Sequence, residues 1–280
     1  LLHRDWHERP CSCGAAYDAC PFWASVDQAV GERIGARSHA EREDVLRRVE
    51  RLVSLPALVL GLLPRSWKEA YRVQVRAEAD AIAAVGGAPA ILDSSKSARE
   101  AAGRALALGS VAGMSVKIIH LVRDGRAVMW SALRGDNVKL GSGASGEGAR
   151  VRFAAFRALI GWMLANTVAL VTPGLSQRSR LLRVRYEDLV ERPDDELDRI
   201  GAFLGADLSE VRRKVREGES FPVGHNTGGN RMRQGGAVKL RVDREWERRL
   251  PAAERAVFWL LAWPWALLFG YRPGARRPDA

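Results

Sequence analysis

No G-x-x-x-x-G-K-[ST] phosphate loop occurs in this 280-residue sequence, nor a paired Cys-x-x-Cys knuckle, nor a recognisable targeting segment. The first absence excludes a nucleotide site of the Walker type within these residues. Cysteine is scarce: Cys11, Cys13 and Cys20 are all there is. An odd number with no signal peptide in view fits a reducing, cytoplasmic setting better than a disulfide framework. Zinc ligation by the three with His3 or His7 is conceivable, but their spacing matches no paired knuckle, so free thiols in a loop are expected. The uncharged run from Ala256 to Tyr271 falls short of the roughly 20 residues a membrane-spanning helix needs, and Pro264 interrupts it. A buried C-terminal helix ending near Gly270 is expected there instead.

Acidic residues are outnumbered, 33 against 44 Lys and Arg, leaving a net charge of +11. Such an excess favours an anionic partner, or it decorates solvated helix faces; composition leaves both open. The basic residues are scattered, without an aromatic-interleaved groove, so nucleic acid is not the expected partner. With 47% hydrophobic residues the chain can bury a core.

The most informative stretch is Val116-Lys-Ile-Ile-His-Leu-Val122 followed by Arg123-Asp-Gly-Arg126-Ala-Val-Met-Trp-Ser131. An apolar, β-branched run stops at an arginine, and a helix opens on Asp124 and Gly125. This puts a guanidinium and free helix N–H groups at the carboxyl end of a strand, where open α/β sheets bind anions. Two further apolar runs, Pro89–Asp93 and Leu181–Tyr186, read as strands. Helical patterns at 25–50, 66–84, 98–108 and 148–171, with a short helix at 55–63, separate or precede them, while 1–24 reads as loop. The alternation predicts βαβ units and a parallel sheet, with no sharp domain boundary. Gly141-Ser-Gly-Ala-Ser-Gly146 fits G-x-G-x-x-G but follows a helical stretch rather than a strand, so a surface loop is expected.

Four segments resemble the sulfotransferases that use 3′-phosphoadenosine-5′-phosphosulfate (PAPS), in matching order over nearly the whole chain. They are Cys11-Ser-Cys-Gly14 with Cys20-Pro-Phe-Trp23; Leu92-Asp-Ser-Ser-Lys96; Leu121–Ser131; and Arg185-Tyr-Glu-Asp-Leu189 with Pro193, then His225–Arg233. The third and fourth are the specific ones. The resemblance implies an α/β, P-loop-kinase-like parallel sheet flanked by helices, as a single domain over 1–280. It implies an enzyme that transfers a sulfuryl group from PAPS to a hydroxyl or amine, with no metal. Arg123 and Ser131 match the pair that holds the nucleotide's 3′-phosphate, Tyr186 the adenine contact, and Arg233 lies in a Gly-rich cationic loop suited to covering a phosphate. Lys96 matches the catalytic cation on the oxygen bridging sulfate and phosphate. Glu187 and Asp188 resemble a structural turn before the helix at Pro193 rather than acid/base groups.

The family's loop for the 5′-phosphosulfate and the strand before it are missing from these residues. The expectation is that they and the general base precede Leu1, so that the 280 residues alone are an inactive, N-terminally truncated form. The acceptor is expected to be a small molecule, carbohydrate or lipid; its identity and the oligomeric state are not legible. Two other classes stay open: a related P-loop-type nucleotide kinase, and a non-catalytic anion- or nucleic-acid-binding protein.

Overall fold

Strand β1 (Val116–Val122) lies beside β2 (Ser179–Arg185) as a parallel pair flanked by helices, the α/β arrangement expected from sequence. The computed structural model describes residues 10–88, 90–94, 101–134, 153–171, 175, 179–227, 237–238 and 243–273. They divide into two compact units: 1–118 with 168–181 and 220–238, and 119–167 with 182–219 and 239–280.

The first unit is mainly helical: α1 (Pro21–Ile34), α2 (His39–Glu50), α3 (Leu55–Val59), α4 (Arg65–Gly86) and α5 (Arg104–Ser110). The helical pattern read over 25–50 is two helices, because Gly35 takes φ 78° and ends the first. Ser38 and Glu41 then form a reciprocal capping box that starts α2. Pro21 at the first turn starts α1 four residues inside the stretch read as loop. Gly87, in the left-handed region at φ 59°, stops α4 where the Gly-Gly pair predicted. Apolar faces of these helices form two clusters, one around Leu46, Val49, Tyr71, Val75 and Leu106, the other around Tyr17, Trp23, Val26 and Val30.

The strand expected at 89–93 does not form among the described residues 90–94, and Leu92 is 85% exposed. A four-residue apolar run becomes a strand only where a neighbour accepts its backbone hydrogen bonds, and no described strand pairs with it. Of the helix read over 98–108, the described residues show a turn at 101–103 and then α5. A two-residue antiparallel pair, β3 (Phe221–Pro222) with β4 (Ala237–Val238), completes this unit.

Helix α6 (Gly125–Leu133) follows β1, and α7 (Ala154–Val171) precedes β2. Then come α8 (Tyr186–Glu191), α9 (Pro193–Leu204), α10 (Ser209–Arg216), α11 (Glu245–Arg249) and α12 (Ala252–Leu268). In the second unit Trp162 of α7 packs its ring against Phe258 and Phe269, with centroids 5.8 and 5.9 Å away. Helix α12 buries only one face, through Phe258, Ala262 and Ala266; Leu260 is 76% and Trp263 54% exposed. The buried C-terminal helix expected from sequence is thus one-sided, its uniform apolarity hiding which face meets the core. Among the described residues α7 is the one helix long and apolar enough, by length and composition, to cross a membrane.

Candidate nucleotide site

The Arg-Asp-Gly-Arg motif divides its labour residue by residue. Asp124, almost wholly buried, caps α6 by accepting the backbone N–H of Arg126 at 2.9 Å. It also takes two guanidinium bonds from Arg126, at 3.0 and 2.7 Å. The Arg126 guanidinium lies over Trp246, Phe258 and Trp259, 4.6 to 5.6 Å from their centroids, so this arginine is built into the core edge. A Cβ on Gly125 would come within 2.5 Å of Phe258 and 3.1 Å of Trp162, which is why glycine stands there. The free N–H groups expected at the head of α6 are therefore partly taken: the chain's own carboxylate occupies that end, as Asp before a helix is suited to do.

Arg123 is left as the outward cation. Its carbonyl accepts Trp162 Nε1–H at 2.8 Å, which fixes the backbone where β1 ends. Its guanidinium carbon lies 4.9 Å from the centre of the Tyr186 ring, and Nη2 meets Asp243 Oδ2 at 3.2 Å. Arg134, at the end of α6, reaches the same Asp243 oxygen at 3.6 Å and also pairs with Glu245. Trp130 Nε1–H donates to Glu245 at 3.3 Å. Two arginines thus meet one half-buried carboxylate, and an aromatic ring packs against one of them, a constellation that can hold an anion beside a planar base. Ser131 is half-buried on α6, two turns from its start.

Tyr186 opens α8 rather than closing β2, so its ring is offered at the strand's carboxyl end. Glu187 accepts the backbone N–H of Asp124 at 2.9 Å through one oxygen and the Tyr271 hydroxyl at 2.8 Å through the other. Burial, reinforced by the Glu187 charge, pushes the Tyr271 phenol well above its ordinary value, so it stays a donor. Asp188, buried, pairs with Arg185 and Arg192 at 3.9 and 3.4 Å. Both acids are engaged in contacts within the second unit. Lys96, Arg233 and the 141–146 loop lie outside the described residues. Arg134 and Asp243 are the members that sequence reasoning missed.

A family described as "Sulfotransferase family" matches residues 115–210, from the residue before β1 to the start of α10. Arg123, Ser131 and Tyr186 all lie inside the matched segment. Comparison with curated proteins and with solved structures finds no match.

Away from this site, in the first unit, Cys11, Cys13, Cys20 and His225 converge, with their Sγ and ring-nitrogen atoms within 4.8 Å of one another. No disulfide links the three cysteines, yet Cys11 and Cys20 are buried, unlike thiols of an open loop.

Proposed function

We propose that this chain is a sulfotransferase that moves a sulfuryl group from PAPS to a hydroxyl or amine and releases adenosine 3′,5′-bisphosphate. In the reaction an acceptor O–H or N–H loses its proton to a base, a bond forms from that atom to sulfur, and the S–O bond to the 5′-phosphate breaks. The electron pair leaves with the phosphate oxygen. Charge spreads over the group in flight and the leaving oxygen, so fixed cations carry most of the catalysis.

The observation that carries the reading is the Arg123 guanidinium beside the Tyr186 ring at the end of β1, inside the matched segment. Arg123 and Ser131 are proposed to hold the 3′-phosphate, Tyr186 the adenine, Lys96 the bridging oxygen, and Arg233 a further phosphate contact. The chemistry asks for no metal. The acceptor is proposed to be a small molecule, carbohydrate or lipid, and the setting the cytoplasm. These 280 residues, having no phosphate loop in their sequence, are proposed to turn over little by themselves as one sulfotransferase domain.

The test is donor recognition and transfer by the complete reading frame that contains this chain. Adenosine 3′,5′-bisphosphate should raise the melting temperature, ATP and ADP much less, and DNA not at all, with labelled sulfate passing from PAPS to a member of an acceptor panel. Preferential stabilisation by ATP with magnesium would support a nucleotide kinase, and stabilisation by DNA a nucleic-acid binder. No transfer to any acceptor would count against the proposal.

A further inference from the structure

We propose that Cys11, Cys13, Cys20 and His225 form a tetrahedral Zn²⁺ site that fastens the N-terminal turn to the segment around His225. The site lies within the first unit and stands independently of the transferase reading. In sequence its members look unrelated, since Cys20 and His225 are 205 residues apart.

The distances fit one small ion. A tetrahedral site with Zn–S of about 2.3 Å and Zn–N of about 2.05 Å has S···S edges of about 3.8 Å and S···N edges of about 3.6 Å. Here Cys13 Sγ and Cys20 Sγ are 3.7 Å apart. His225 Nδ1 lies 3.2 Å from Cys20 Sγ and 3.7 Å from Cys11 Sγ. A disulfide between Cys13 and Cys20 would need the sulfurs at about 2.05 Å. Three thiolates and one imidazole are a soft S₃N set, the combination that selects zinc over magnesium or calcium.

The surroundings hold the ligands in place. Cys11 N–H donates to Ala15 O at 2.8 Å and Gly14 N–H to Cys11 O at 2.9 Å, closing a tight turn around the first two cysteines. Gly14 sits at φ 91°, a conformation that side chains resist. Ser12, between the two cysteines, is stitched to the histidine's neighbours: its N–H donates to Asn226 O at 2.9 Å, its hydroxyl accepts Asn226 N–H at 2.9 Å, and it donates to Gly224 O. The Phe22 ring stacks on His225, 4° from parallel with centroids 5.2 Å apart, which fixes the imidazole plane. Cys20 is the residue before α1, so the first turn of that helix fixes the backbone that carries its sulfur.

Four protein ligands close the coordination sphere, so the zinc is structural and activates no water. Binding takes the neutral Nδ1 of His225 and releases the protons of the three thiols. The His3 and His7 considered from sequence lie outside the described residues, and the fourth ligand proposed here is His225.

The experiment is metal analysis of the whole chain, produced with zinc in the medium and passed through gel filtration. About one zinc per chain is expected, released stoichiometrically to a chromophoric chelator when the thiols are blocked by an organomercurial. Cobalt reconstitution should give the intense visible bands of a tetrahedral thiolate site. Because Cys13 and His225 are exposed, Cys13→Ser and His225→Ala should still fold, yet hold zinc at least ~10-fold more weakly. His225→Cys should keep it. A zinc-free protein with three freely reactive thiols would overturn the proposal, as would a Cys13–Cys20 disulfide found by mass spectrometry. Undiminished zinc affinity in His225→Ala would also overturn it.

Discussion

Arg123 and Arg134 address the same carboxylate oxygen, Asp243 Oδ2, from 3.2 and 3.6 Å. Arg123 ends a strand and Arg134 ends the helix that follows it, so β1 and α6 deliver two guanidiniums to one point. An internal carboxylate there satisfies both cations and competes with any external anion. Asp243→Asn should therefore tighten adenosine 3′,5′-bisphosphate binding about 2- to 5-fold, the half-exposed pair being worth about 1 kcal/mol or less. Titration calorimetry of variant and parent measures this, and weaker binding would show that Asp243 positions the arginines rather than competing for them.

Gly125→Ala should destabilise the protein by about 1–3 kcal/mol, because the new methyl meets two packed rings with no route around them. The added carbon would stand 2.5 Å from Phe258 and 3.1 Å from Trp162, and Trp162 also anchors the Arg123 carbonyl. Chemical denaturation gives the stability loss. Donor affinity should fall as well, since the displaced indole releases the end of β1.

In the first unit Glu50 is buried against Arg104 Nη1 at 2.6 Å and the Tyr71 hydroxyl at 2.9 Å. Arg104 Nε also binds Asp93 at 2.5 Å. Burial raises the Glu50 carboxyl above its ordinary value while Arg104 pulls it back down. Arg104→Met removes that pull and leaves an acid buried with one donor, a change that costs about 3–5 kcal/mol. Adding Glu50→Gln should recover part of the loss, and a double-mutant cycle on urea unfolding reads the coupling.

His120 is buried in the second unit, its Nε2 2.7 Å from Asn166 Oδ1 and its ring edge-on to Phe269. Burial holds its proton affinity below the ordinary imidazole value. The unfolded chain then takes up the proton first, at about pH 6.5, so stability present above that pH drains away as pH falls through the window below it. His120→Gln should flatten the melting-temperature profile between about pH 7 and 5, by at most one proton's worth of slope. An unchanged profile would assign the acid sensitivity to other groups.

Local signals made much of this legible. The β-branched run over 116–122 is a strand along its whole length, and Asp124 marks a helix start as its chemistry dictates, whereas the break from Gly35 to Ser38 splits the single helical pattern read over 25–50. Asp124 was there to be read: a carboxylate before a helix caps it, so the α6 N-terminus was never wholly open to a ligand. What stayed hidden depends on contacts far apart in sequence. Arg123 and Asp243 are 120 residues apart and Cys11 and His225 are 214, and no spacing rule announces such pairs. The strand read over 89–93 is absent among the described residues 90–94 for a related reason, since apolar side chains are visible in the sequence but a pairing partner, which no described strand provides, is not. The one-sided burial of α12 likewise depends on what packs against it, which a uniformly apolar sequence cannot express.

The most direct test of the central claim is the affinity for adenosine 3′,5′-bisphosphate when Arg123→Glu is introduced into the complete reading frame. Replacing a charge-assisted phosphate contact by a repelling carboxylate should weaken binding at least ~100-fold. The fold should persist, because the Asp124–Arg126 pair and the Glu187 hydrogen bonds do not involve the Arg123 side chain. Unchanged affinity in a folded variant would contradict the account and remove Arg123 from any nucleotide site.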